Sequence, residues 1–244
     1  MKRAESSKAR LFTRVLPEFA ADAPYFSIGA VKRRLGELQI TVTDGSLRQY
    51  MSEAMEQGVV HDAGRGWYSR LGTPCTLDSK PVARIVRELE KEFPLLDFTC
   101  WSTQQVNPWM HHILSKFIAF VNVDRDGLTA VAEFLRDKGY DVHSNPSGKG
   151  TSEVRPNGKT LVMRPLNAHA PRDGHFAPPE AVLVDLFVES KALGIMGSGD
   201  FHNMLHALAS SARIAWGTLL HYAEKREIKP GEMIGESDSL TADK

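Results

Sequence analysis

Residues 43–69 run TDGSLRQYMSEAMEQGVVHDAGRGWYS. Leu47, Met51, Ala54 and Met55 recur at helical spacing, so the first half reads as an amphipathic helix. Thr43 or Asp44 can cap its start, because either side-chain oxygen accepts a bond from a free backbone amide. Gly58 ends it, as the left-handed residue after a helix. Val59 to His61 and Trp67 to Ser69 then read as two strands around the tight turn Asp62-Ala63-Gly64-Arg65-Gly66. Upstream, Ile28, Val31, Leu35 and Leu38 form a second apolar stripe, and Leu11, Phe12, Val15, Leu16 and Phe19 a first. Three helices followed by a hairpin with an arginine at its tip predict a winged helix-turn-helix over residues 11–72.

That reading turns Ser46, Arg48, Gln49 and Ser52 outward near the start of the third helix. Arginine grips guanine bidentately, and glutamine grips adenine. Lys32 and Arg33, with Arg34 beside them, and Arg65 on the turn are placed to meet phosphates, which adds affinity without reading sequence. The expected partner is double-stranded DNA. A three-helix protein-interaction module with a solvated face is the other use of the same pattern.

A chain of 244 residues suits two domains. The formal charge is zero, but residues 1–72 carry 11 Lys and Arg against 8 Asp and Glu, so the rest is acidic. Apolar runs such as Phe117 to Val123 are too short to span a bilayer. No apolar signal core follows Met1-Lys2-Arg3. Cys75 and Cys100 are too few for a disulfide framework and fit a reducing cytosol. The expectation is a cytoplasmic protein with no membrane partner.

Gly72 to Thr76 reads as a linker. Helices are expected at 78–93, 127–138 and 179–191, and strands at 96–101, 117–123 and from Tyr140 to His143. Ser152 to Arg155 and Lys159 to Arg164 read as a hairpin around Asn157-Gly158. Phe201, Met204, Leu205, Leu208, Ala212, Ala215, Trp216, Leu219 and Ala223 keep a helical period, predicting one long helix from about Asp200 to Lys225. The fold class is therefore α+β: an N-terminal winged helix-turn-helix (1–72), then a mixed α/β domain (73–229) with a long C-terminal helix and helices at one side or end of its sheet, then a flexible tail (230–244).

Two further segments carry a family resemblance. One is Pro179-Glu180-Ala181-Val182-Leu183-Val184-Asp185-Leu186-Phe187; the other is Leu219-Leu220-His221-Tyr222-Ala223-Glu224-Lys225-Arg226. With the Gly-Arg-Gly-Trp-Tyr wing, the chain resembles AbiEi-type antitoxins of bacterial type IV toxin–antitoxin systems, over most of its length. The second segment is similar to that family's Leu-x-x-Tyr-Ala-x-x-Arg ending. The resemblance implies a non-catalytic autorepressor that binds its own promoter and counters a nucleotidyltransferase-like toxin. Pro179 to Val182 and the polar, aromatic stretch from Gln104 to His112 depart from the usual pattern, which leaves open a related regulator with no toxin.

Other chemistry is thin. His202 and His206 stand four apart on a helix, but Asn203 replaces the glutamate of a His-Glu-x-x-His zinc site. Ser147-Gly148-Lys149-Gly150 lacks the spacing of a phosphate loop, and the Gly194 to Gly199 run joins helices rather than following a strand. No metal, cofactor or catalytic set is expected. Asp97, Glu153 and Asp185 sustain a metal-dependent nuclease as the enzyme alternative, and a ligand-sensing regulator is the other. Asp185 also reads simply as a helix residue bonded to backbone or to an arginine. Trp67, Trp101 and Trp216 read as core, whereas Trp109 with His112 is a candidate partner-binding pair.

Overall fold

A computed structural model describes residues 6–111, 116–235, 240 and 241. The chain forms two compact units. The first comprises the described residues of 1–75, 208–221 and 234–244; the second comprises those of 76–207 and 222–233.

The first unit opens with α1 (Ser7–Arg10), a π-helical turn over Leu11–Val15, and α2 (Leu16–Asp22). Pro17 has no amide to return to Thr13, so the turn before it widens. Then come β1 (Tyr25–Ser27), α3 (Ile28–Glu37), α4 (Asp44–Glu56), β2 (His61–Asp62) and β3 (Trp67–Ser69). The three strands form an antiparallel sheet in the order β1-β3-β2. The stripes read from sequence meet in one core, where Leu11, Val15, Val31, Leu35, Leu47, Met51 and Ala54 are buried. β1 was not expected; it is a three-residue strand that joins only because β3 offers it an edge.

In the second unit, α5 (Lys80–Glu92), β4 (Phe98–Ser102), β5 (Ala119–Val123), α6 (Leu128–Asp137), β6 (Asp141–Ser144), β7 (Thr160–Pro165) and α7 (Pro179–Leu193) follow in order. The sheet runs β4-β5-β7-β6, antiparallel between β4 and β5 and parallel elsewhere. Strand side chains alternate between faces. Phe98, Cys100, Val121, Val123, Leu161 and Met163 point one way and pack with α5 and α6. Asn122 and Arg164 point the other way and bond to α7. Helices therefore cover both faces, not one side or end as expected. α7 is buried almost all round, which its near-continuous apolar run Ala181 to Phe187 requires.

Three expectations are corrected. The long helix is two, α8 (Ser198–Ser211) and α9 (Trp216–Lys225). Between them other partners replace the helical ladder: Tyr25 Oη donates to the Ala212 carbonyl and accepts from the Ile214 amide, and Arg213 bridges Pro74. The Gly72 to Thr76 linker is accordingly not free, since the Cys75 amide bonds Arg213 at 2.7 Å and the Arg213 amide bonds Thr73 at 2.8 Å. The 152–164 hairpin does not form. Gly158 keeps its positive φ of 82°, but residues 148–153 make a 3-10 turn and β7 pairs in parallel with two strands instead.

Part of the expected flexible tail is ordered: α10 (Pro230–Ile234) buries Met233, and Leu240 is buried while Thr241 bridges Tyr25. No described helix is long and apolar enough to cross a membrane.

Candidate functional sites

Thr43 caps α4, accepting from the Ser46 amide at 3.2 Å and donating to Ser46 Oγ at 3.0 Å. Burial of Leu47, Met51 and Ala54 fixes the helix's rotation, and Arg48, Gln49 and Ser52 are left exposed on the opposite side. Ser46 is half-buried, and Gln49 reaches Glu53 at 3.4 Å. Lys32 is committed in part to Asp44, 2.6 Å away, and that ammonium holds the Asp44 carboxyl below its usual range. Arg33 is exposed on α3.

Arg65 tops the turn between β2 and β3. Its φ of 49° lies between Gly64 at 76° and Gly66 at 78°, three consecutive left-handed residues that few sequences without glycine could adopt. Asp62 anchors the turn by accepting from the Gly64 amide. The start of α9 backs the turn: the Gly217 amide donates to the Ala63 carbonyl, and a Cβ at position 217 would stand 2.1 Å from the Gly64 oxygen. Trp216 stacks on Tyr25 beside it, with centroids 4.8 Å apart. Of the seven residues expected from sequence on α3, α4 and the turn, all but half-buried Ser46 thus lie exposed on one unit.

Trp109 ends the 3-10 segment Thr103–Trp109 and is half-buried, and His112 lies outside the described residues. The polar character of that stretch has a structural cause. Gln105 is buried, accepts from the Ser102 amide and donates to the Asp78 carbonyl, closing a capping box.

The second unit holds a polar cavity of about 640 Å³ between α7 and the sheet face bearing Asn122 and Arg164. Arg164 grips Glu189 with both arms, Nε to Oε1 at 2.7 Å and Nη2 to Oε2 at 2.6 Å. Asp185 accepts from Tyr222 Oη at 2.8 Å, Arg226 Nη1 at 2.5 Å and Asn122 Nδ2 at 3.4 Å. Burial pushes the Asp185 carboxyl up to about 6, against the pull of Arg226, Tyr222 and Asn122. Burial and then the Asp185 charge raise the Tyr222 phenol. Burial opposes the Arg226 charge, yet Asp185 and Tyr222 raise that guanidinium above its ordinary value.

Sequence reading missed this cavity as a site, although Asp185, Tyr222 and Arg226 all lie in the two C-terminal segments that carry the resemblance. The available signal was an aspartate inside an apolar helical run, which must find partners if the helix is buried.

Elsewhere, no three described His, Cys, Asp or Glu side chains form a metal-holding group. His202 Nε2 stands 3.2 Å from the Glu232 carbonyl. Cys100 is fully buried, and burial pushes its thiol up, away from a reactive thiolate.

Compared with known proteins, the chain matches the family described as "Family of unknown function (DUF6577)" over residues 46–233. The match takes in the whole second unit's span and reaches back through the hairpin to α4. No curated protein matches the chain.

Proposed function

We propose that this chain, which belongs to that family of unknown function, is a DNA-binding transcription regulator whose first unit is a winged helix. The observation that carries the reading is the element order helix–strand–helix–helix–strand–strand, with Arg48, Gln49 and Ser52 exposed on the third helix and Arg65 exposed on the turn. In this reading α4 enters the major groove, Arg48 and Gln49 meet base edges, and Arg65 with Arg33 meets phosphates. Lys32 joins them only by leaving Asp44, so its contribution is smaller than its charge suggests.

Titration of the full chain against its own promoter by mobility shift is the test. Retardation that weakens with salt and survives competitor DNA supports the reading; no retardation at low salt overturns it.

The resemblance to AbiEi-type antitoxins makes the regulator an autorepressor and gives the second unit a nucleotidyltransferase-like toxin as partner. Growth rescue by the full chain on co-expression with that toxin tests it. A second reading, a ligand-sensing regulator, is favoured by one observation, the cavity lined by buried charge in the second unit. Both readings are non-catalytic.

A further inference from the structure

We propose that the cavity of the second unit binds a small anionic metabolite bearing a carboxylate or a phosphate. The size is suitable, since about 640 Å³ lies in the range of small-molecule sites. The argument for charge comes from which hydrogen-bonding groups are already used. Both carboxylates are satisfied: Glu189 takes two bonds from Arg164, and Asp185 takes three. A cationic ligand would have to displace these bonds.

The donors are not satisfied. Arg226 uses only Nη1, towards Asp185 and Tyr222, so Nε and Nη2 make no hydrogen bond among the described residues. Arg125, exposed at the cavity edge, makes no ion pair among them. Asn145 and Asn167 use their carbonyl oxygens, to Arg164 and to the His169 amide, and leave their NH₂ groups without a described partner. Asn122 Oδ1 is the corresponding unused side-chain amide acceptor.

A lining of three arginines and two acids with surplus donors calls for a ligand rich in acceptor oxygens. Trp101 and Phe120 stack on each other, 4.0 Å apart, and are fully buried, so they present no open ring face to an aromatic ligand. The ligand is therefore selected by its oxygens.

Ligand binding stands on the cavity alone; its role as an effector rests on the regulator reading. The full chain, labelled with ¹⁵N, is titrated at constant ionic strength with inorganic phosphate in one arm and succinate in another, with chloride as the control. The readout is the Nε–Hε resonances of the arginine side chains, including Arg226. Saturable shifts in either arm, with affinity reduced about tenfold in Arg125→Gln and in Asn167→Ala, are the expected result, and the responding arm identifies the head group.

No saturable shift beyond chloride in either arm overturns the proposal. So do shifts unchanged in both variants, because the anion then sits elsewhere. Mobility shift without added anion reports on DNA binding separately, so failure of one reading is not mistaken for failure of the other.

Discussion

Arg48 and Arg65 are both exposed arginines, but in the proposed reading their backbones suit them to different tasks. Arg48 projects from a capped helix whose rotation is fixed by its core, whereas Arg65 is held at a turn tip by left-handed geometry. Arg48→Ala should weaken promoter binding by about 1–3 kcal/mol and relax base preference. Arg65→Ala should weaken all sequences alike and lower the salt slope by about one. Parallel titrations with promoter and random duplex distinguish the two.

Gly217 bears on the same turn. The Gly64 carbonyl occupies the space a Cβ would need, so Gly217→Ala must displace backbone. It should lower both the melting temperature and DNA affinity, although residue 217 touches no DNA in this reading. Asp185 gives the third residue-scale expectation. Its folded carboxyl titrates near 6, above its unfolded value of 3.8. The folded state therefore binds the proton more readily between those values. Asp185 opposes folding at neutral pH, and its contribution improves as pH falls through 6 towards 4. Urea midpoints at pH 7 and pH 5 should show this part of the pH dependence in the parent and not in Asp185→Asn.

At the scale of elements, periodicity located α3, α4, α5 and α6 because each has a face that must be buried, and burial leaves a pattern in sequence; α7, buried almost all round, was legible instead as an apolar run after Pro178-Pro179. It failed between residues 212 and 215 because nothing in the pattern is broken there; the helix stops because Tyr25 and the 73–75 segment supply competing hydrogen bonds from far along the chain. It failed at 152–155 for a related reason. A turn was legible in Asn157-Gly158, but the choice of β7's partners belongs to the sheet.

The candidate DNA-facing residues were legible as the outward complement of a core stripe. The cavity was not, because Asn122, Arg164 and Asp185 come from three elements whose meeting no local spacing encodes. The break before α9 also relocates Trp216. It is core as expected, but in the first unit, stacked on Tyr25. Trp216→Ala should cost about 3–5 kcal/mol, read as an earlier unfolding transition in the unit that carries the hairpin.

For the molecule as a whole, the first unit is not a contiguous stretch. Residues 208–221 complete it: Arg213 donates to the Leu71 and Gly72 carbonyls, Trp216 fills the space beside Tyr25, and Gly217 backs the turn. A fragment ending at Cys75 therefore leaves Tyr25 and the turn without these partners. It should lack a cooperative thermal transition, and a synthetic 208–221 peptide added in excess should partly restore it.

During synthesis the same interruption sets an order of events. The α3 and α4 segments leave the ribosome long before their closing segment exists, and at about 5–20 residues per second the intervening stretch takes several seconds or more. The complete second-unit sheet, from β4 to β7, emerges in that interval. A nascent chain stalled before residue 208 would thus carry the sheet but an unclosed first unit, and the hairpin would gain its backing only near the end of translation.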